Sequence, residues 1–178
     1  MKKLISISLV FFMFQTASVF AGGVPNSGGA SFEPKPYLGL SANHSDLDGV
    51  GSIGGPSDTD NGLRVYGGLN FNKNLGVELG YANLGTFNFG GNTDVDSFYL
   101  SAVGNLPIND KISLTGRLGF ARWDASGAVS DSGTDPLYGI GAAYKINNKM
   151  AITLDFVRVD VGDSRADVTA LGIQFNLK

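Results

Sequence analysis

Four charged residues carry the sharpest chemistry in this sequence: Arg64, Glu78, Arg117 and Asp155. Each interrupts a run of large apolar residues and takes the alternate position that small residues otherwise fill. Two cations and two anions make a neutral set. Arg117 can offer five donors in a rigid fork, enough for two carboxylates. The expectation is that it bridges Glu78 and Asp155 while Arg64 completes the set. Glu78 lies three residues past the start of its strand, and Arg117 and Asp155 each lie six past theirs. At about 3.3 Å per residue the offset is about 10 Å, which strand tilt and stagger must absorb. Inside a narrow barrel such a set is either a switchable ion path or a structural plug that satisfies buried polar groups. Eight strands leave room only for side chains or one small ligand, which favours the plug.

Aspartates offer a second chemistry. Asp46, Asp48, Asp58 and Asp60 fall in or beside one polar segment, and eight more crowd three others. Hard divalent cations take carboxylate oxygens, and an acidic surface attracts a basic partner. The alternative is a solvated surface with no ligand. Asp46-Leu47-Asp48-Gly49-Val50 lacks the full spacing of a calcium loop and its terminal glutamate. His44-Ser45-Asp46 has the residue types of a hydrolase. Adjacent strand residues point to opposite faces, so nucleophile and base would diverge. Cysteine is absent and His44 is the single histidine, which excludes thiol catalysis and disfavours a transition-metal site. No cofactor is expected, and the chain does not read as an enzyme.

The elements that must position these residues are strands. Leu75, Val77, Leu79 and Tyr81 take every second position, as do Ile112, Leu114, Leu118 and Phe120, then Met150, Ile152, Leu154 and Phe156, then Leu171, Ile173, Phe175 and Leu177. Repeated alternation with turn residues between is the mark of an all-β, eight-stranded antiparallel transmembrane β-barrel. The strands are predicted at 37–45, 62–72, 75–85, 95–106, 111–123, 137–146, 149–159 and 168–177. Three connections are tight and rich in Asn, Asp and Pro, and four are long and rich in Gly, Ser and Asp. Short turns on one rim and long loops on the other suit an outer-membrane barrel, with both termini on the periplasmic side. Residues 1–21 read as a secretory signal: a basic Lys2-Lys3 start, an apolar run and a Val19-Phe20-Ala21 cleavage site. Residues 22–36 read as a flexible periplasmic leader and residues 37–178 as the barrel. After cleavage, eleven basic residues face sixteen acidic ones, a net charge of about −5. A basic nucleic-acid footprint is missing.

Alternation alone does not say which face is outside. A soluble ligand-binding barrel would turn its apolar face inward. The charged face is otherwise Gly, Ser, Thr and Ala, too small to grip a ligand, and Arg on a lipid-facing midplane costs about 2–4 kcal/mol. The apolar face is therefore assigned to lipid. Phe71, Tyr144 and Phe175 near the short turns, and Tyr81, Phe98, Phe120, Tyr138 and Phe156 toward the long loops, fit two aromatic girdles.

Leu75-Gly76-Val77-Glu78-Leu79-Gly80-Tyr81 resembles the third strand of the outer-membrane protein A family, OmpA-like in its transmembrane domain. Leu100 to Ile108 and Ile112 to Gly119 resemble its fourth and fifth strands, and Ala170 to Phe175 its last. The resemblance covers about 35–177. It implies a Gram-negative cell outer membrane location, contact with outer-membrane lipid and lipopolysaccharide, insertion by the barrel assembly machinery, and a monomer. It also implies a lumen charge cluster, matched by Glu78, Arg117 and Asp155. Val103 stands where the family often has a lysine and Thr153 where it often has an arginine, so the family's gate does not carry over intact. The terminal aromatic that the machinery reads is replaced by Leu177, with Phe175 the nearest aromatic. The chain stops at Lys178, so no peptidoglycan-binding domain is expected to follow. Small barrels of this shape serve several tasks. The reading preferred is a structural or surface-interaction role through acidic extracellular loops. A narrow gated, porin-like pore and a lipid-modifying enzyme are the alternatives. The sequence names no extracellular partner.

Overall fold

The structure, a computed structural model, describes residues 34–48, 58–88, 92–127, 131–161 and 164–177. The signal and nearly all of the leader lie outside the described residues. Eight strands follow in order: β1 Lys35–Asp48, β2 Asp58–Asn70, β3 Leu75–Asn88, β4 Asn92–Pro107, β5 Ile112–Gly127, β6 Asp131–Lys145, β7 Met150–Val161 and β8 Ser164–Asn176. Each pairs antiparallel with its neighbours in sequence, and β1 pairs with β8 to close the barrel. β1 begins at Lys35, so the last two residues assigned to the leader belong to the wall.

The three tight connections share one device. Asn72 Oδ1 accepts the backbone N–H of Asn74 and Leu75, Asn109 Oδ1 those of Lys111 and Ile112, and Asn147 Oδ1 that of Lys149. An asparagine that bonds its own backbone two residues on makes a turn without help from the rest of the fold.

The apolar face points out. Ile140 is 70% exposed, Leu118 68% and Phe120 64%. A water-soluble domain does not leave a continuous belt of such side chains bare. The sheet therefore turns this face to an apolar medium, and the soluble-barrel alternative falls. Tyr81, Phe98, Phe120, Tyr138 and Phe156 are all partly exposed on one rim of the belt.

Most strands run beyond their predicted ends on the long-loop side, into polar stretches that were expected to be loops. Above the aromatic row the alternation continues with its polarity inverted. On β7, Val157 and Val159 are buried inside while Arg158 faces out. Asp167 of β8 meets Arg158 across the seam, accepting Nε at 2.5 Å and Nη2 at 2.6 Å. Leu84, Val95, Leu137, Ala166 and Val168 join the same inner cluster. This upper collar is built like a soluble β-protein, apolar inside and polar outside, and it lies outside the membrane-spanning part of the wall. Near its base β3 carries a bulge between Asn83 and Gly85, where Gly85 adopts a φ of 112° that disfavours a side chain.

Inward tyrosines fill the middle of the barrel. Tyr66 lies over Gly39, Tyr99 over Gly80 and Tyr37 over Gly68, each pair directly in register. A methyl added at any of the three glycines would collide with the ring opposite. Small residues on one strand thus make the space that a large one on the next strand occupies, which is how a narrow lumen is packed.

Candidate functional site: a charged layer across the lumen

The structure brings Arg64, Glu78, Arg117 and Asp155 together at mid-height, all 6% exposed or less. Arg117 Nη1 donates to Asp155 Oδ1 at 2.5 Å, and its Nε donates to Glu78 Oε1 at 3.1 Å. Arg64 Nη2 donates to Asp155 Oδ2 at 2.5 Å and its Nε to Ser41 Oγ at 3.0 Å. Barrel stagger absorbs the offset between strands, so charges from β2, β3, β5 and β7 share one level. Charge-assisted bonds of this kind are about twice as strong as neutral ones.

The tyrosines complete the layer. Tyr37 and Tyr99 donate their hydroxyls to Glu78 at 3.0 and 2.9 Å. The Tyr66 ring lies 4.7 Å from the Arg64 guanidinium carbon, and its hydroxyl pairs with Thr153 Oγ1 at 3.3 Å. Both oxygens of Glu78 and both of Asp155 are therefore occupied. Sequence reasoning leaves these three tyrosines unassigned and places only Tyr81, Tyr138 and Tyr144, in the girdles. Parity was the available signal: Tyr99 lies between Phe98 and Leu100 and must face the other way. Val103 and Thr153, which stand where the resembling family often carries cations, are buried and uncharged. Glu78 has no lysine from β4 or arginine from position 153 to exchange for Arg117.

The loop aspartates are arranged differently. Asp60 shares its face with buried Ser45, its partner in register, whereas Asp46 shares the outer face with His44. The two carboxylates are on opposite sides of the wall and cannot hold one ion. The Asp48 and Asp58 side chains lie outside the described residues. Among the described residues no three acidic or histidine side chains form a metal-binding group. Asp60 instead accepts the backbone N–H of Thr86 at 2.5 Å and of Asn61 at 2.7 Å. Asp94, Asp96 and Asp135 likewise accept bonds from Thr86, Tyr81 and Trp123. Much of the acidic composition therefore stitches the collar. His44 Nδ1 meets Asn61 Oδ1 at 3.0 Å and faces out, while Ser45 is buried inside, so no nucleophile and base converge there.

The N–H groups of Thr86 and Asn61 hold the Asp60 carboxyl below the usual carboxylate range. A lowered folded pKa stabilises the rim fully above the unfolded value of about 3.9. That stabilisation disappears as pH falls through the folded value. Thr86 amide protection against hydrogen exchange should hold down to about pH 4 and decline below it. Asp60→Asn should remove the pH response. Protection that stays flat down to about pH 2, well below the ordinary carboxylate range, or a response that survives in Asp60→Asn, contradicts this assignment.

A family model described as outer membrane protein beta-barrel domain matches residues 7–178. Outer membrane protein A of Serratia marcescens is 30% identical over 149 residues, covering 71% of this chain and 41% of its own length. Outer membrane protein A of Klebsiella pneumoniae is 28% identical over 135 residues, covering 66% and 39%. The chain thus spans about two fifths of the length of these curated relatives. Among solved structures, Ail, the attachment invasion locus protein of Yersinia pestis, matches with a TM-score of 0.63 at 19% identity, covering 82% of this chain and 99% of that one. Neisserial surface protein A matches with a TM-score of 0.64 at 18% identity, covering 84% and 100%. The last two likenesses are of fold.

Proposed function

Because the chain belongs to the outer membrane protein beta-barrel domain family and resides in the outer membrane, we propose that it works as a closed surface protein: a barrel anchored by its apolar belt that presents polar hairpins to the outside. The observation that carries this reading is the lumen. A neutral, hydrogen-bonded layer crosses it at mid-height, and the apolar collar core fills much of the space above. On this reading the two layers together close the lumen to solutes. The collar, stiffened by side-chain bonds such as Arg158 to Asp167, holds the hairpins as a firm platform for an extracellular partner. Lipid and lipopolysaccharide surround the belt, the assembly machinery inserts it, and a monomer suffices because the barrel closes on itself. On this reading the protein is not an enzyme, and His44 and Ser45 project to opposite sides of the wall.

Planar-bilayer recording is the test. The purified barrel should show no unit conductance above the bare bilayer. Regular ion steps in the unmodified protein would replace this reading with the narrow pore. Lipid A mass spectra with and without the protein should coincide, and a changed acyl pattern would make it an enzyme.

A further inference from the structure

The upper lumen is not apolar all round. On β7 and β8 its inner face is built of Val157, Val159, Ala166 and Val168. On β1 the same height is taken by Ser41, Asn43 and Ser45, each 3% exposed or less. These three climb from Arg64, which bonds Ser41, toward the extracellular rim. Asn43 Nδ2 donates to the Asn83 carbonyl oxygen at 3.2 Å and to Ser45 Oγ at 3.4 Å. Its Oδ1 is buried and has no hydrogen-bond partner among the described residues. The neighbours in register are small: Asn43 lies between Gly62 and Ala170, and Ser41 has Gly172 beside it on β8. A polar stripe with an orphaned acceptor therefore runs beside small neighbours in register. Buried water typically occupies such places, bonding to polar groups that the protein leaves unsatisfied.

We propose that a file of water molecules lies along the inner face of β1, held at the Asn43 carbonyl oxygen and ending on Arg64. It is an off-axis route from the rim to the charged layer, and the valine face of β7 and β8 stays dry. The inference rests on the closed barrel, with the charged layer as its floor.

Two measurements decide it. In the unmodified protein in lipid nanodiscs, water-to-protein magnetisation transfer should reach the Asn43 side-chain amide and miss the Val157 and Val159 methyls. No transfer at Asn43, or equal transfer at the valines, overturns the file. In planar bilayers, Arg64→Ala should remove the floor and allow ion current. Adding Asn43→Leu, similar in shape but unable to bind water, should abolish that current, whereas adding Val157→Leu should not. A current insensitive to Asn43→Leu, or a folded Arg64→Ala that stays silent, overturns the proposal. Faster migration of unboiled protein on a detergent gel establishes folding, and if Arg64→Ala does not fold the magnetisation transfer decides alone. Current in the unmodified protein would instead remove the closed-barrel reading, leaving the water contacts to judge the file.

Discussion

Arg117→Ala will lower the unfolding free energy of the barrel by about 3–5 kcal/mol, the usual cost of removing one partner from a buried ion pair. Among the described residues Arg117 is the only cation bonded to Glu78, and it shares Asp155 with Arg64. Without it Glu78 keeps two tyrosine hydroxyls and has no cationic partner among the described residues. Arg117→Lys should recover only part of the loss, because an ammonium on a flexible stem cannot reproduce a fork that reaches two carboxylates. Urea titration in lipid vesicles, read by tryptophan fluorescence and gel mobility, gives the comparison. A parent and an Arg117→Ala variant with the same midpoint would show that the bridge does not stabilise the fold.

The second large effect is expected at Gly80. A side chain there meets the Tyr99 ring, and Tyr99 cannot swing away without giving up its bond to Glu78. Gly80→Ala should cost about 1–3 kcal/mol as an overpacked core position. Gly80→Val should fall beyond that range and leave most of the protein migrating as unfolded on an unboiled gel. Tyr99→Ala should partly rescue Gly80→Val, because it removes the obstacle, although alone it is destabilising. Gly116 is the control: it faces outward and an added methyl there meets nothing within 4 Å. Gly116→Val should be neutral. A well-folded Gly80→Val, or additive effects in the double variant, would mean that the ring opposite Gly80 is free to move.

The strands of the membrane belt were legible because large and small residues alternate around Leu75–Tyr81 and Ile112–Phe120, with the buried charges falling on the small-residue side. The strand ends were not, and the cause is physical. A reading that assigns Gly-, Ser- and Asp-rich stretches to loops stops at 45 and 159 and starts again only at 168, whereas 46–48, 160–161 and 164–167 continue β1, β7 and β8. Past Phe156 the period of two persists while its sign reverses, with Val157 and Val159 inside and Arg158 facing out. The parity of the four charges was readable; the tyrosine hydroxyls bonded to Glu78 were not. Tyr37, Tyr66 and Tyr99 are amphipathic enough to suit a girdle or a lumen, and only their neighbours tell the two apart. The loop acids show a third limit. Composition suggested convergence on a cation, but the alternation that turns Asp46 outward turns Asp60 inward.

The charged layer has a consequence for how the chain closes. Its parts come from β1, β2, β3, β4, β5 and β7, and Arg64 and Asp155 are 91 residues apart. A strand that slips by two residues keeps its apolar face outward, so lipid does not object to the error. The slip does carry a charge about 6.6 Å along the wall, well beyond hydrogen-bond reach, and strands it unpaired in a medium of low polarity. The strands that carry these groups, free to slide silently in the belt, are thus audited at one height inside. The four charges act as a combination lock: they fit only when the strands that bear them have stopped in the right register.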